Sequence, residues 1–468
     1  MYLLLRAIIS VMIFKNTHLQ LHTKPDYLFT GHQLATLVLP MIIDLFLVFF
    51  VGMIDSIMVS SVGEGAVSAV SLVDQVMQLF LMAFSAMATG GAVVAGQYLG
   101  AKKEKEACNS AYQLILFMFL CGIGFAVILL LFRHLILHLC FGQITEEVFS
   151  YANKYMIFTA CSLPMLTIHQ GGTAVFRAMG NSKGPMWISV MMNLINFAGN
   201  ASLIYELGMD TDGAGISTLA SRTAAAVVVV ILLLNQDRLL HLPKTFAYHP
   251  DGSLIKRILY VAIPNGVENG MFQLGKLVLL SLVALYGTSA ITANAITNNM
   301  ASIQLIPGIA CNMAVTTVIA RCVGYGDIEQ VRYYNQLMLK IIFITMEIFA
   351  WIVYFLMPFV LTLYHASDQT AHLTMVMFRW HTIGAVALWP TAFEFPQALR
   401  SAGDVKFPMV VSLITMWLIR ILGAYILAKI FGFGAVAPWI AMVIDFAARF
   451  FIFQHRWRRG KWIGKQVI

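Results

Sequence analysis

Charge is what this chain has least of. Of its 468 residues only 11% are Asp, Glu, Lys or Arg, against 59% hydrophobic. A soluble globular domain needs far more polar surface to face water, so that class is excluded. The six cysteines (Cys108, Cys121, Cys140, Cys161, Cys311, Cys322) form no CxxC pair and lie mostly in apolar segments. They read as small buried hydrophobes, with no disulfide framework and no metal site. There is no HExxH, no GxSxG and no aspartate-rich prenyl-phosphate motif, which argues against a membrane-embedded enzyme. No ring of equivalent filter residues speaks for a channel. A non-enzyme without cofactor or resident metal is expected.

What fills the chain instead is hydrocarbon. Crossing the roughly 30 Å apolar core of a bilayer takes about 20 residues. Twelve stretches qualify: 34–60, 66–97, 107–132, 148–175, 185–206, 213–234, 254–286, 290–322, 332–357, 370–397, 407–431 and 434–455. Several are long enough to require tilt, kinks or extension past the membrane. The net charge of +8 follows this layout and not a nucleic-acid partner. Lys102, Lys103 and Lys105 follow span 2, Arg177 and Lys183 follow span 4, and Arg238, Lys244, Lys256 and Arg257 separate spans 6 and 7. Arg332 follows span 8, Arg400 and Lys406 follow span 10, and Arg456, Arg458, Arg459, Lys461 and Lys465 sit in the tail. The alternate loops, 61–65, 206–212, 287–289 and 365–372, carry none; Arg133, Lys154 and Lys429 are the nearest exceptions. This asymmetry places both termini and the even-numbered loops in the cytoplasm of a multi-pass cell-membrane protein. The opening MYLLLRAIISVMIF lacks a small-residue cleavage site and is followed by Lys15 and Lys24, so an uncleaved interfacial segment is expected.

The spans are written twice. Pro40 opens PMIID…VGEGAVSAV and Pro264 opens PNGVE…YGTSAITAN, a register of 264 − 40 = 224. It carries Asp44 onto Glu268, Gly63 onto Gly287 and Gly100 onto Gly324. Further on, FRAMGNSKGPMWIS from Phe176 matches LRSAGDVKFPMVVS from Leu399. In these loops Gly180 and Gly403 let a helix end, Arg and Lys anchor at phosphate level, and Pro185 and Pro408 start the next span. Duplicated hydrophobic units mark secondary transporters. The expected fold is an all-α polytopic membrane protein, about 12 transmembrane helices in two six-helix lobes related by a pseudo-two-fold axis along the membrane normal. Its parts are an interfacial segment 1–33, an N-lobe 34–234, a cytoplasmic inter-lobe loop 235–253, a C-lobe 254–457 and a basic tail 458–468.

Taken together, the twelve duplicated spans, Pro40, IDSIMV, QYLGAKK after span 2 and RAMGNSKGP after span 4 resemble the multidrug and toxic compound extrusion (MATE) transporters. The likeness runs from about Leu34 to the end of span 12 and is nearer the DinF-like bacterial branch than the NorM-like one. It implies two lobes exporting organic, cationic or amphipathic compounds by alternating access, driven by inward flow of H⁺ or Na⁺. The implied partners are small organic molecules and the lipid bilayer, without nucleic acid, for a monomer. A flippase for a lipid-linked saccharide, from the same superfamily, is the alternative. It would need a strongly cationic cavity, for which Lys276, Arg379 and Arg420 are few.

Ionisable groups in hydrocarbon are costly, so each is a functional candidate. Asp55, fifteen residues after Pro40, matches the acidic residue of the family's N-lobe cavity and becomes the coupling-ion candidate, including for a transient Na⁺. Asn193, Asn196 and Asn200 share one face of span 5. Asn196 matches a family polar residue opposite that acid, and Asn200 stands where many DinF-like members have a second aspartate. An amide cannot be protonated, so coupling rests on one acid or on Na⁺ held by Asp55 and amide oxygens. Thr218 and Tyr155 match further hydroxyl positions. A second set comprises the repeat-related Asp44 and Glu268, then Lys276, Glu394 and Asp74. Asp44 and Asp55 share a face about 16 Å apart along the helix. Lys276 is too far along its helix to pair with Glu268, so an acid from a facing helix is expected beside it. Asp445 and Arg449, at i and i+4, read as a structural ion pair, and Arg222, Glu347, Arg379 and Arg420 as packing.

Overall fold

A computed structural model describes residues 27–142, 145–243 and 250–468. The opening interfacial segment, Lys15, Lys24, Lys244 and the side chain of Cys140 lie outside the described residues. Among those described there are helices and turns but no strands. The first repeat supplies α1 (Gly31–Ser60), α2 (Glu64–Gly100), α3 (Glu104–Phe141), α4 (Glu146–Ala178), α5 (Lys183–Asn200) and α6 (Thr211–Leu233). The second supplies α7 (Gly252–Ala284), α8 (Thr288–Tyr325) and α9 (Ile328–Leu363). Its fourth span is split into α10 (Asp368–Ala387) and α11 (Trp389–Ser401). Its fifth is split into α12 (Lys406–Ile414) and α13 (Gly423–Lys429), and α14 (Ala437–Arg458) is the last.

The chain punctuates both repeats with the same chemistry. Thr30 starts α1 through a capping box: its hydroxyl accepts from the Gln33 N–H at 3.3 Å while Gln33 Oε1 accepts from the Thr30 N–H at 2.8 Å. Gly63 and Gly287, one register apart, turn the chain at φ +141° and +92°, where an L side chain would be strained. Gly180 and Gly403 do so again at φ +81° and +94°. Around them the closing hydrogen bonds are the same, Asn181 N–H to Phe176 O (3.0 Å) and Asp404 N–H to Leu399 O (2.9 Å), a Schellman-type end in each repeat.

Among the described residues ten helices are long and apolar enough to cross a membrane. The two expected spans missing from that set are the fourth of each repeat, present as α4 and as α10 with α11. They are enclosed by protein, which relaxes the demand for an apolar surface. α4 buries more than half of its length against α2, α3 and α6, with Gly172 so close to Val229 that a Cβ would meet it at 2.0 Å. α10 and α11 pack on α8 and α14. The outward helix faces show the opposite pattern, with Leu131, Phe355 and Ile57 among the large apolar side chains left exposed, as a lipid-facing surface requires.

The described chain divides into two compact units at Ile263/Pro264. The sequence places the second half from 254, but the first turns of α7 pack with α2: a Cβ on Gly90 would approach Ile258 O to 2.6 Å, and Arg257 donates to the Tyr98 hydroxyl. Each fifth span carries a π-helical segment, Ala201–Glu206 after α5 and Thr415–Leu422 between α12 and α13. Such wide turns concentrate at functional positions.

Candidate functional site

In the first unit, α1, α2, α4, α5 and α6 bring one polar cluster together. Asp55, late in α1, is half-buried. Asn200 Nδ2 donates to its Oδ1 at 2.9 Å. The Asn196 amide satisfies both its atoms when its nitrogen faces the carboxylate, at 3.1 Å from Oδ2 and 2.9 Å from Oδ1. Two side chains one turn apart on α5 thus grip one acid on α1. α5 is held against α6 by the Ser217 hydroxyl, which donates to Asn196 O at 3.1 Å; a Cβ on Gly199 would meet that hydroxyl at 2.2 Å. Thr218 Oγ1 lies 3.4 Å from the Asn196 amide.

A second layer adjoins the first. The Tyr155 hydroxyl on α4 donates to Asp74 Oδ1 on α2 at 3.4 Å, and Asp74 is close enough to Asp55 to repel it. Asp74 stays open to solvent on one side, while Tyr155 is buried. Arg222 on α6 faces Tyr155, Asp74 and Asp55 electrostatically but donates to the buried Ser162 hydroxyl at 2.7 Å, and it forms no direct ion pair with either acid. Formal charges of two carboxylates and one guanidinium leave the cluster one negative charge in excess, matched to one monovalent cation. Asn200 Oδ1 is buried without a hydrogen-bond partner among the described residues, an oxygen available to such a cation. Arg222 reads from sequence as packing, yet it belongs to this cluster. The signal was its position four residues after Thr218, on the same face of α6.

Of the second set of candidates Asp74 thus joins the Asp55 cluster, and the other four fall elsewhere. Asp44 faces Arg177 and Ser189. Glu268 accepts from Arg400 at 2.7 Å, and Arg400 also donates to Gln397 Oε1 at 2.9 Å. Since 224 carries Asp44 to Glu268 and 223 carries Arg177 to Arg400, each unit sets an arginine against the same acid position, by direct contact in the second and by electrostatic attraction in the first. The reading of Arg400 as a phosphate-level anchor is therefore corrected. Its side chain, on the last turn of α11, points back along the helix as helical side chains do and buries against the α7 acid.

Lys276 has no carboxylate within ion-pair distance among the described residues, against the expectation of an acid from a facing helix. It lies 5.2 Å above the Phe272 ring, whose π face supplies the attraction. Arg420 shares that ring at 5.2 Å and packs on Phe446 at 5.7 Å. Asp445 is fully buried between Arg449 at 2.9 Å and Arg420 at 3.8 Å, and Arg449 reaches Ser412 as well. Glu394 is wholly buried, with neither carboxylate oxygen hydrogen-bonded to any described residue. It joins none of these clusters. Among the described residues no group of three or more His, Cys, Asp and Glu side chains could hold a metal ion.

Known proteins share this architecture. The chain is 24% identical over 468 residues to the uncharacterised transporter YisQ of Bacillus subtilis, covering 97% of this chain and 98% of that one. It is 25% identical to a probable multidrug resistance protein NorM of Thermotoga maritima, covering 93% and 94%. A solved structure of a MOP-superfamily transporter from Pyrococcus furiosus superposes with a TM-score of 0.84 at 19% identity, covering 92% of this chain and 95% of that one, which establishes the fold. The family model for MatE matches twice, at residues 40–201 and 264–426, so the two matches begin at the paired prolines of the internal repeat. Two copies of that unit on this helical scaffold settle the lineage: the chain is a multi-pass membrane transporter of the MatE family.

Proposed function

We propose that this transporter exports organic cationic or amphipathic compounds in exchange for H⁺ or Na⁺, with Asp55 as the coupling carboxylate. One observation carries this reading. Asp55 is held in a membrane span by neutral amide donors and has no direct ion-pair partner among the described residues. A carboxylate sealed by a guanidinium is already neutralised, whereas one held by amides can exchange a small cation. Asn196 and Asn200 position the acid, and each can turn an oxygen toward a bound sodium ion. Tyr155, Asp74 and Arg222 set the local charge so that one added cation brings the cluster to neutrality. Ion and compound then weaken each other's binding, as antiport requires and reciprocity demands. The 27 methionines and 32 phenylalanines suit the transport of irregular apolar bodies. Basic residues in the even-numbered loops orient both termini toward the cytoplasm.

Relatives bearing multidrug-resistance names favour this reading over a lipid-linked saccharide flippase. The direct test is counterflow of a labelled organic cation in proteoliposomes, with pH and sodium gradients imposed separately. Wild-type protein should respond to one gradient, and Asp55→Asn should lose that response. Gradient-driven export by the Asp55→Asn variant at the wild-type rate would end the proposal.

A further inference from the structure

The carboxy-terminal end of the second unit holds an open pocket remote in sequence from the Asp55 cluster. After α14 the chain folds back upon itself instead of trailing away as a loose basic tail. Trp462 is buried, stacks on Trp457 with ring centroids 4.5 Å apart, and donates to Trp457 O at 3.2 Å. Lys465 Nζ reaches Asp404 Oδ1 at 2.7 Å, and Arg456 takes the other oxygen at 2.8 Å. The returning backbone passes so close to Gly403 that a Cβ there would lie 1.8 Å from Lys465 O. Both oxygens of Asp404 are thereby taken. Arg459, Lys461 and His455 make no ion pair with any described residue.

These three line a pocket of about 510 Å³ with Phe407, Phe451 and Ile452; Arg456 closes its side, lying 4.4 Å above the Phe407 ring. The arrangement along α14 is ordered. Phe451, His455 and Arg459 recur at four-residue spacing, so an apolar wall gives way to a basic rim along one helix face. The rise from Phe451 to Arg459 is about 12 Å. Phe451 is 66% exposed on the lipid-facing side of its helix, while the basic rim sits where that helix leaves the hydrocarbon. A soluble anion would use the rim and have no need of the wall. A phospholipid with an anionic headgroup uses both, with phosphate among the cations and the upper acyl chain along Phe451 and Ile452.

We infer that this pocket binds an anionic phospholipid of the surrounding leaflet, its headgroup phosphate held by Arg459, Lys461 and His455. The inference is independent of the coupling role of Asp55. Native mass spectrometry of the full chain, released from micelles doped with equal phosphatidylglycerol and phosphatidylcholine, tests it. The wild type should retain phosphatidylglycerol preferentially. Each Lys or Arg beside an anionic headgroup contributes about fivefold, so Arg459→Gln with Lys461→Gln should weaken retention about 25-fold. Phe451→Ser should weaken it too. Both variants alter exposed side chains, and unchanged thermal unfolding in lipid-free detergent confirms that they fold. Inorganic phosphate and glycerol 3-phosphate, added at millimolar concentration, should leave the bound lipid in place. Equal retention of the two lipids, equal retention by the double variant, or full displacement by inorganic phosphate would each overturn the assignment, the last by making the pocket a soluble-anion site.

Discussion

Asp55 in the first unit and Asp445 in the second are both acids in apolar helices, and their surroundings differ in kind. Asp445 is fully buried and flanked by two guanidinium groups, Arg449 at 2.9 Å and Arg420 at 3.8 Å. Asp55 is half-buried and flanked by two carboxamides, with its nearest cation committed to a serine hydroxyl. The first arrangement fixes a charge permanently; the second leaves it to be answered from outside. The sequence position of a membrane acid says little about which it will be, because the answer lies in side chains on other helices. Glu268 falls between the two, paired with Arg400 at 2.7 Å but open at its edge.

The contrast can be broken or sharpened by substitution, in order of expected loss of stability. Asp445→Asn strands two guanidinium groups in the interior, and loss of one partner of a buried pair costs about 3–5 kcal/mol. Thermal unfolding in detergent should fall well below wild type; an unchanged midpoint would mean that the pair is not what holds α14. Glu268→Gln removes the partner of Arg400 at a less enclosed place, for a loss of about 2–3 kcal/mol. A double-mutant cycle with Arg400→Gln should recover most of it, and additive losses would refute the pairing. Arg222→Gln leaves the Ser162 hydroxyl with a weaker neighbour and Asp74 without its compensating charge, for about 1–3 kcal/mol. That variant should also alter the cation-concentration dependence of transport, because the cluster's charge becomes more negative by one. Asp55→Asn should cost least, within about 1 kcal/mol, because no direct ion pair is lost and the replacement keeps an acceptor. Its stability should stay near wild type while gradient-driven export disappears. A large loss of stability would place Asp55 with Asp445, as a structural acid.

Much of the fold was legible because the repeat is written in residues that turns and helix starts demand. Gly63 and Gly287, or Gly180 and Gly403, adopt positive φ in both halves. The register of 224, with its slip to 223 by the fourth span, locates them from sequence alone. Apolar length found ten spans directly, while the fourth span of each repeat came through more weakly, since helices wrapped in protein need not be apolar. The cluster around Asp55 was legible in part: Asp55, Asn196, Asn200, Thr218 and Tyr155 do lie together, while Asp74, expected in a second set, stands beside them. Arg222 was not recognised: its place four residues after Thr218 shows which face of α6 it shares, but not that Tyr155 and Asp74, on other helices, stand opposite that face. The matched couples Asp44 with Arg177 and Glu268 with Arg400 stayed hidden for a simpler reason. The repeat slips by one residue between span 1 and span 4, so no single offset aligns both members.

Regular α-helical winding in the fifth span ends at Asn200, the residue that grips Asp55, and the next six residues wind more loosely. The Leu207 N–H reaches back five residues to Ser202 O at 3.1 Å, where an ordinary helix would reach back four. A loose coil of this kind stores one residue more than its length requires. Passing that surplus one step toward Asn200 would turn the amide by about 100°, the angle between neighbours on a helix. The clasp on the acid could thus be opened by rewinding a single coil, while the rest of the helix kept its seat against α6.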